Sequence, residues 1–551
     1  MTFIYLCLTG IYFLCTISSS VCDICLTCIC STTIVEESII NCHGKHLENN
    51  DMLNFDLLTL DEQKALNKLI LSKNNIVNLS EPLLKKLKRL KILDLSENLI
   101  EVLYTRVFTD LNDLEDLNLS KNALVTFDDT LLEVLPALSS LNLSHNHIHT
   151  IEHRINKAVT KINFLDLSHN NISNLPNNIF ESLLSLQYLD LSFNKINSLK
   201  DNSLNNLDYL KAIYLNNNFL TSLDIQIFPK SLLELYSGYN LIREVTYETS
   251  EIEVLNLEYN QISEIQINIT ALNHLTHLNV CGNKLSNFPC ILLKNLKTLD
   301  ISYNELPRIP ETLSIENVPL LVHLNVSKNP IEHLKFLSDL NLRTFIASNL
   351  SMLQAIDKDA FARLNALSKD CIDLTVSNNK QLSYIHEEIL EHVHLCSLDL
   401  SNNQLAYLSQ KLIAPNNSSE TYNINLQGNP FKCNCSLQWM LNDLVPKLYS
   451  AQPTLLNNLR CAWPPHVSNM RMVHWYGWKD QVFCNNTLEF NEDLTVNMAS
   501  VLNNQVVTFD SSPGLLAALG TAIAVLSILV ILGLIMTQRL IIKKRRINRK
   551  F

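Results

Sequence analysis

The stretch LKILDLSENLIEVL, residues 90–103, decides the fold because it comes back. It is followed by LEDLNLSKNALVTF at 114–127, LSSLNLSHNHIHTI at 138–151, INFLDLSHNNISNL at 162–175 and LQYLDLSFNKINSL at 186–199. Each fits L-x-x-L-x-L-x-x-N-x-L. The asparagine falls at 74, 98, 122, 146, 170, 194 and 218, a strict period of 24. It continues less evenly at 240, 260, 283, 304 and 329, degenerates around Phe345 to Leu350, and returns at 379, 403 and 429. In L-x-L the side chains alternate faces, so the leucines point inward and the intervening residue points out of a parallel sheet. The asparagine, buried at the turn after each strand, is able to donate to and accept from backbone groups of neighbouring coils. One repeat cannot bury its own apolar edge, so stacked neighbours build the core and both ends need caps.

The pattern is that of leucine-rich repeats, about sixteen of them. The expected fold is α/β: a leucine-rich-repeat solenoid, or horseshoe, with a parallel β-sheet on the concave face, disulfide caps and a single transmembrane helix. The run NPFKCNCSLQWMLNDL, residues 429–444, resembles the C-terminal cysteine-rich cap of extracellular leucine-rich-repeat proteins. That resemblance implies bridges Cys433 to Cys461 and Cys435 to Cys484, with Trp439 covering the last coil. At the front, Cys22, Cys25, Cys28, Cys30 and Cys42 look like the N-terminal cap, which normally needs four cysteines; Cys25, Cys28, Cys30 and Cys42 are taken as the set and Cys22 as the surplus. Close spacing also suggests zinc, but an oxidising compartment and the position at a solenoid end favour disulfides. Cys371 occupies a consensus leucine position and reads as a buried thiol, whereas Cys281, Cys290 and Cys396 have no assignment.

The termini set the compartment. MTFIYLCLTGIYFLCTISSS is a short apolar run closed by small residues and reads as a secretory signal peptide, although it lacks a basic start. Gly514 to Met536 gives 23 residues without charge or proline, close to the roughly 20 helical residues that cross a hydrocarbon core. Arg539, Lys543, Lys544, Arg545, Arg546, Arg549 and Lys550 follow with no acidic residue, and basic flanks stay cytoplasmic. The expected protein is therefore type I, in the plasma membrane, its N-terminus extracellular. A glycolipid anchor is the alternative, but its signal ends in the apolar tail rather than in seven cations. The expected division is signal peptide 1–20, N-terminal cap 21–60, repeats 61–428, C-terminal cap 429–484, stalk 485–513, span 514–536 and basic tail 537–551.

The period of 24, both caps and the single span resemble the ectodomains of Toll-like receptors and of leucine-rich-repeat adhesion receptors, over residues 22 to 536. Toll-like receptors carry a cytoplasmic signalling domain, and nothing of that kind follows Met536. The tail contains no Ser, Thr, Tyr or Cys from Arg539 onward, so its expected partner is anionic inner-leaflet lipid. A basic patch for a cytosolic partner is the alternative. Ala517, Gly520, Ala524 and Ser527 form a small-residue stripe that permits a homodimer or heterodimer in the membrane.

Outward strand positions form the concave face. Early repeats present small or acidic groups such as Asp94, Ser96, Asp116 and Ser144; from Tyr188 and Phe193 the face turns aromatic, adding Tyr214, Tyr236, Tyr239, Tyr259 and Tyr303. At roughly 4.8 Å per coil the stretch spans about 25 Å, enough for a binding patch. Tyrosine also suits exposed strand positions without any ligand. Eleven N-x-[ST] sequons stand at Asn78, Asn118, Asn142, Asn171, Asn268, Asn325, Asn349, Asn416, Asn417, Asn434 and Asn485. Asn118, Asn142 and Asn325 are L-x-L outward residues that bracket the aromatic stretch, so residues 188 to 259 are the expected protein-binding window.

His145, His147, His149, His153 and His169 raise pH sensing or metal binding, with chance clustering as the bland account. No Gly-rich phosphate loop, H-E-x-x-H or G-x-S-x-G occurs, so the expectation is a non-enzyme without cofactor or metal. The chain carries 43 basic and 54 acidic side chains, a net charge of −11, and about −18 once the tail's cations are set aside. Such an acidic ectodomain is a poor partner for nucleic acid. The expected partner is a protein ligand or membrane co-receptor. A Toll-like co-receptor or decoy without autonomous signalling is the first reading; cell adhesion or neural cell recognition in trans is the second.

Overall fold

The computed structural model describes residues 27–32, 38–48, 65–79, 84–152, 161–175, 179–199, 204, 206–246, 250–265, 272–365, 371–413, 423–478 and 481–484. The signal peptide, Cys22, Cys25, His153, Asn268, Asn416, Asn417, Asn485, the stalk, the span 514–536 and the tail lie outside the described residues. Among the described residues no helix is long and apolar enough to cross a membrane.

Short strands, most of three residues, stack coil upon coil into one 18-stranded sheet. Every pairing in it is parallel except the first, where Ile29–Thr32 runs antiparallel to Ser38–Asn41. The register follows the repeat: Leu189 faces Leu165 on one side and Ile213 on the other. These central residues are wholly buried, as is the second leucine of each coil, such as Leu191 and Leu215. Burial of one such side chain contributes about 1.5–3 kcal/mol. A second row of short parallel pairs, such as Thr126–Asp128 with Thr150–Glu152, lines the return side. This is a solenoid whose core is one leucine column per inward position.

The asparagine ladder acts as its residue type dictates. Asn146 donates through Nδ2 to the carbonyls of Leu119, Leu143 and Ser144 at 3.0, 3.0 and 3.2 Å, while its Oδ1 accepts from the Leu124 amide at 3.0 Å. The same four contacts recur at Asn98, Asn122 and Asn170. Leaving one such buried partner unsatisfied costs about 1–3 kcal/mol. At the irregular repeat the ladder position is the wholly buried Leu350, whose amide donates instead to Asn379 Oδ1 at 2.7 Å. Packing compensates there: Phe345 meets Phe336 edge-on, ring centroids 5.0 Å apart, with Phe361 beside both.

Disulfides close the ends. Cys28 is bonded to Cys42, and Cys30 is also disulfide-bonded. Cys433 is bonded to Cys461 and Cys435 to Cys484. The Trp439 indole N–H donates to the Leu408 carbonyl at 3.2 Å, tying the cap to the last coils. The reading of Cys371 as a buried thiol is corrected: it is bonded to Cys396. Both cysteines sit at the entry of adjacent strands, where Ile372 is in register with Leu395, so coil stacking brings together residues 25 apart in sequence. Cys281, half-buried, and Cys290, exposed, are free thiols.

Candidate functional site

The aromatic window resolves into two parallel columns rather than one face. Tyr188 opens its strand, and Tyr214 and Tyr236 close theirs, so all three stand on the large sheet. Phe193, Tyr239, Tyr259 and Tyr303 do not. They occupy the turn just past the strand, next to the ladder asparagine, with φ between 48° and 55°. The same left-handed position holds Glu97, Lys121, His145, His169 and Asn217. The physical reason is the period: L-x-L-x-x-N leaves its two last variable residues beyond the two-residue alternation of the strand, and the second of them must turn the chain. No β-branched residue occurs among these left-handed positions, as the steric cost requires.

On the sheet, register places Tyr188 between Phe164 and Ala212, and Ala212 beside Glu234. In the next column Asp166, Asp190, Tyr214 and Tyr236 follow one another on successive strands. Tyr214 and Tyr236 stack with centroids 4.8 Å apart, an offset-ring contact worth about 0.5–1.5 kcal/mol beyond burial. The Tyr236 hydroxyl donates to Glu234 Oε2 at 3.1 Å. Burial, then the Glu234 charge, pushes the Tyr236 phenol up to about 12. Burial also raises the carboxyl of Asp190 above the ordinary range, with Asp166 adding to it, despite amide and hydroxyl donation from Ser192. Tyr188 is 41% exposed, whereas Ala212 beside it is 1% exposed and closed over by its neighbours. Phe164 and Glu234 belong to this patch and were not among the expected window residues. Reading the repeats down their columns places Phe164 at the position of Tyr188.

The turn column forms a run of stacked rings. His145 lies over His169 at 3.9 Å and His169 over Phe193 at 4.0 Å; further along, Tyr239 stacks on Tyr259 at 4.6 Å and Tyr259 meets Tyr303 at 5.8 Å. Lys328 Nζ lies 4.9 Å from the centre of the Tyr303 ring. A shallow groove of about 550 Å³ runs beside the first three rings, bordered by His147, Lys195 and Phe219. Burial, and then His145, lower the affinity of His169 for a proton. His147 and His149 lie apart from the stack, and among the described residues no third metal ligand joins His145 and His169.

The described sequons fall in three settings. Asn118, Asn142 and Asn325 end strands and are half-buried on the sheet, each Oδ1 accepting the amide two residues on. Asn171 is half-buried past its turn, and Asn78, Asn349 and Asn434 are exposed.

A family model described as Leucine rich repeat matches residues 64–124, 100–148, 112–171 and 160–220, and a second, Leucine Rich Repeat, matches 295–315. These coils are leucine-rich repeats. The transforming growth factor beta activator LRRC33 of Danio rerio is 28% identical over 228 residues, covering 34% of this chain and 31% of that protein. The CD180 antigen of Mus musculus is 26% identical over 237 residues, covering 40% and 34%. The chain thus spans about a third of the length of these curated relatives. The crystal structure of a TLR13–ssRNA13 complex has the same fold, with a TM-score of 0.62 at 22% identity over 77% of this chain and 62% of that one. The chain carries leucine-rich repeats over the matched residues and resembles this Toll-like receptor in fold.

Proposed function

We propose that this protein is a cell-surface recognition molecule, a co-receptor or decoy of the Toll-like kind, that binds a protein ligand or membrane co-receptor through residues 188 to 259. The observation that carries this reading is the concentration of exposed and stacked rings over a few adjacent coils: Tyr188, Tyr214 and Tyr236 on the sheet, with Phe193, Tyr239 and Tyr259 on the neighbouring turn. Large rigid rings give much contact area at low entropic cost, which is why they dominate binding hot spots. The sequons at Asn118, Asn142 and Asn325, if glycosylated, frame the window without entering it. The apolar segment 514–536 and its basic flank support a type I plasma-membrane anchor, with the tail held on anionic inner-leaflet lipid. Similarity to the transforming growth factor beta activator LRRC33 and the CD180 antigen supports recognition rather than catalysis. TLR13 was solved with single-stranded RNA; the acidic strands of the present chain support a protein partner instead.

The test is proximity labelling from the ectodomain on living cells, comparing the native chain with two variants, Tyr188→Ala/Tyr214→Ala/Tyr236→Ala and Tyr239→Ala/Tyr259→Ala. Loss of a labelled same-cell receptor in either variant supports the co-receptor reading. Loss of label on apposed cells supports adhesion in trans. Unchanged labelling in both, with folding retained, removes the window.

A further inference from the structure

The strands of the large sheet have a one-sided charge. From Ile92–Asp94 to Ile424–Asn425 they carry Asp94, Asp116, Asp166, Asp190, Glu234, Asp300, Asp373 and Asp399, and no lysine or arginine. Lys68 stands on the preceding strand of the sheet, Leu66–Ile70, where its charge acts on Asp116. Lys91, Lys121, Lys335, Lys358 and Lys411 pair with acids such as Glu115, Glu97 and Glu387 outside the strands. Among the described residues, no lysine or arginine forms an ion pair with Asp166, Asp190 or Glu234. The His169 imidazole acts on Asp190. Half-burying a carboxylate without a counter-charge is unfavourable, and a cation arriving from outside relieves it.

At the centre of this face the uncompensated acids stand beside open rings. Asp190 is flanked across the sheet by Asp166 and Tyr214, and Tyr188 by Phe164 and the small, buried Ala212. Glu234 stands on the far side of Ala212. A guanidinium or ammonium group is attracted to both a carboxylate and an aromatic face, and the two attractions add when ring and acid are neighbours. The molecule already makes such a contact with its own lysine, since Lys328 sits over Tyr303.

We propose that this sheet face docks a basic segment of a partner protein, with an arginine or lysine side chain lying against the exposed Tyr188 ring, over the buried Ala212, among Tyr214, Asp190 and Glu234. The proposal rests on the recognition reading above and adds the chemistry of the partner. The charge along the rest of the sheet steers the segment in, and the ring-and-acid patch holds it.

The experiment uses the purified full chain in lipid nanodiscs and a fluorescent Arg-Gly repeat peptide, followed by anisotropy, with a Glu-Gly peptide and spermine as comparisons. The Arg-Gly peptide is expected to bind and the Glu-Gly peptide not to compete. Affinity is expected to fall about tenfold in Asp190→Asn/Glu234→Gln and in Tyr188→Ala. It is also expected to fall as ionic strength rises from about 0.05 M to about 0.5 M. Asp373→Asn, on the same sheet but outside the patch, is expected to stay within about twofold. Asparagine at position 190 is compatible with the fold, because Asn118 and Asn142 hold the equivalent place and make the same bond to the following serine. No binding of the Arg-Gly peptide, or equal binding by the double variant, overturns the proposal. Equal loss in Asp373→Asn, or full displacement by spermine with Tyr188→Ala unaffected, reduces it to diffuse charge and overturns the patch. If the tyrosine variants lose a cell-surface neighbour while the Arg-Gly peptide never binds, the recognition reading stands and the basic occupant falls.

Discussion

The ring of Tyr259 lies directly on Gly282 of the next coil, where a Cβ would come within 2.6 Å of the ring's Cδ1. The missing side chain lets Tyr259 reach across that coil to Tyr303, centroids 5.8 Å apart, and continues the ring column past a gap. Gly282 also has φ +69°, which a Cβ disfavours. Gly282→Ala is therefore expected to destabilise by about 1–3 kcal/mol and to displace Tyr259. Chemical denaturation reads the first effect and the environment of the Tyr259 ring, followed by NMR, the second. An unchanged midpoint would show that the ring moves aside freely.

Ser237 stands where Leu215 and Leu257 stand in the coils on either side, between Tyr236 and Gly238. It is wholly buried, and its hydroxyl has no hydrogen-bond partner. Ser237→Ala removes the stranded hydroxyl and is expected to raise stability by about 1 kcal/mol. A loss instead would place an ordered water on that oxygen. Because the coil lies inside the proposed window, the same variant also tests whether this buried hydroxyl matters for binding: affinity for the Arg-Gly peptide should not change.

The repeat period made the solenoid legible, since leucine spacing and the asparagine each have one physical job in a stacked coil. The two columns of the window were less legible. Tyr214 and Tyr239 look alike in a string of outward residues, yet one follows the strand alternation and the other sits where the chain turns, which requires the backbone angles. The partner of Cys371 was hidden for a related reason: Cys396 lies one residue past Leu395, which holds in its coil the position that Cys371 holds, so the two cysteines do not share a column of the repeat. Phe164 was readable by aligning columns. The lack of counter-charge at Asp190 was not, because it depends on where lysines from other coils end up.

The Cys371–Cys396 bond staples the two coils that follow the irregular repeat. Closing a loop of this length restricts the unfolded chain, and replacing both residues with serine is expected to cost about 2–4 kcal/mol. In a solenoid each coil contacts its neighbours alone, so the loss should be local. Hydrogen exchange is expected to quicken at Ile372–Thr375 and Leu395–Asp399, with no change at Asp116–Asn118. Uniform quickening along the chain would contradict a local staple.

His169 and Asp190 pull the acid stability of this region in opposite directions. Burial, then stacked His145, keep the His169 imidazole below its ordinary range, so the folded chain binds this proton less readily than the unfolded chain. As pH falls through the ordinary imidazole value the unfolded state is protonated first, and stability drops until the folded imidazole is protonated too. Asp190 has a raised carboxyl, so folding favours its protonated form and stability rises as pH falls through that raised value. His169→Phe keeps a ring between His145 and Phe193 and removes the first effect; it should lose less stability than the native chain between about pH 7 and about pH 5. Asp190→Asn removes the second effect and the carboxylate that supports a proton on His169, so its acid loss should be steeper. Denaturation midpoints across that range decide the matter, and parallel curves for all three chains would show that neither group titrates differently on folding.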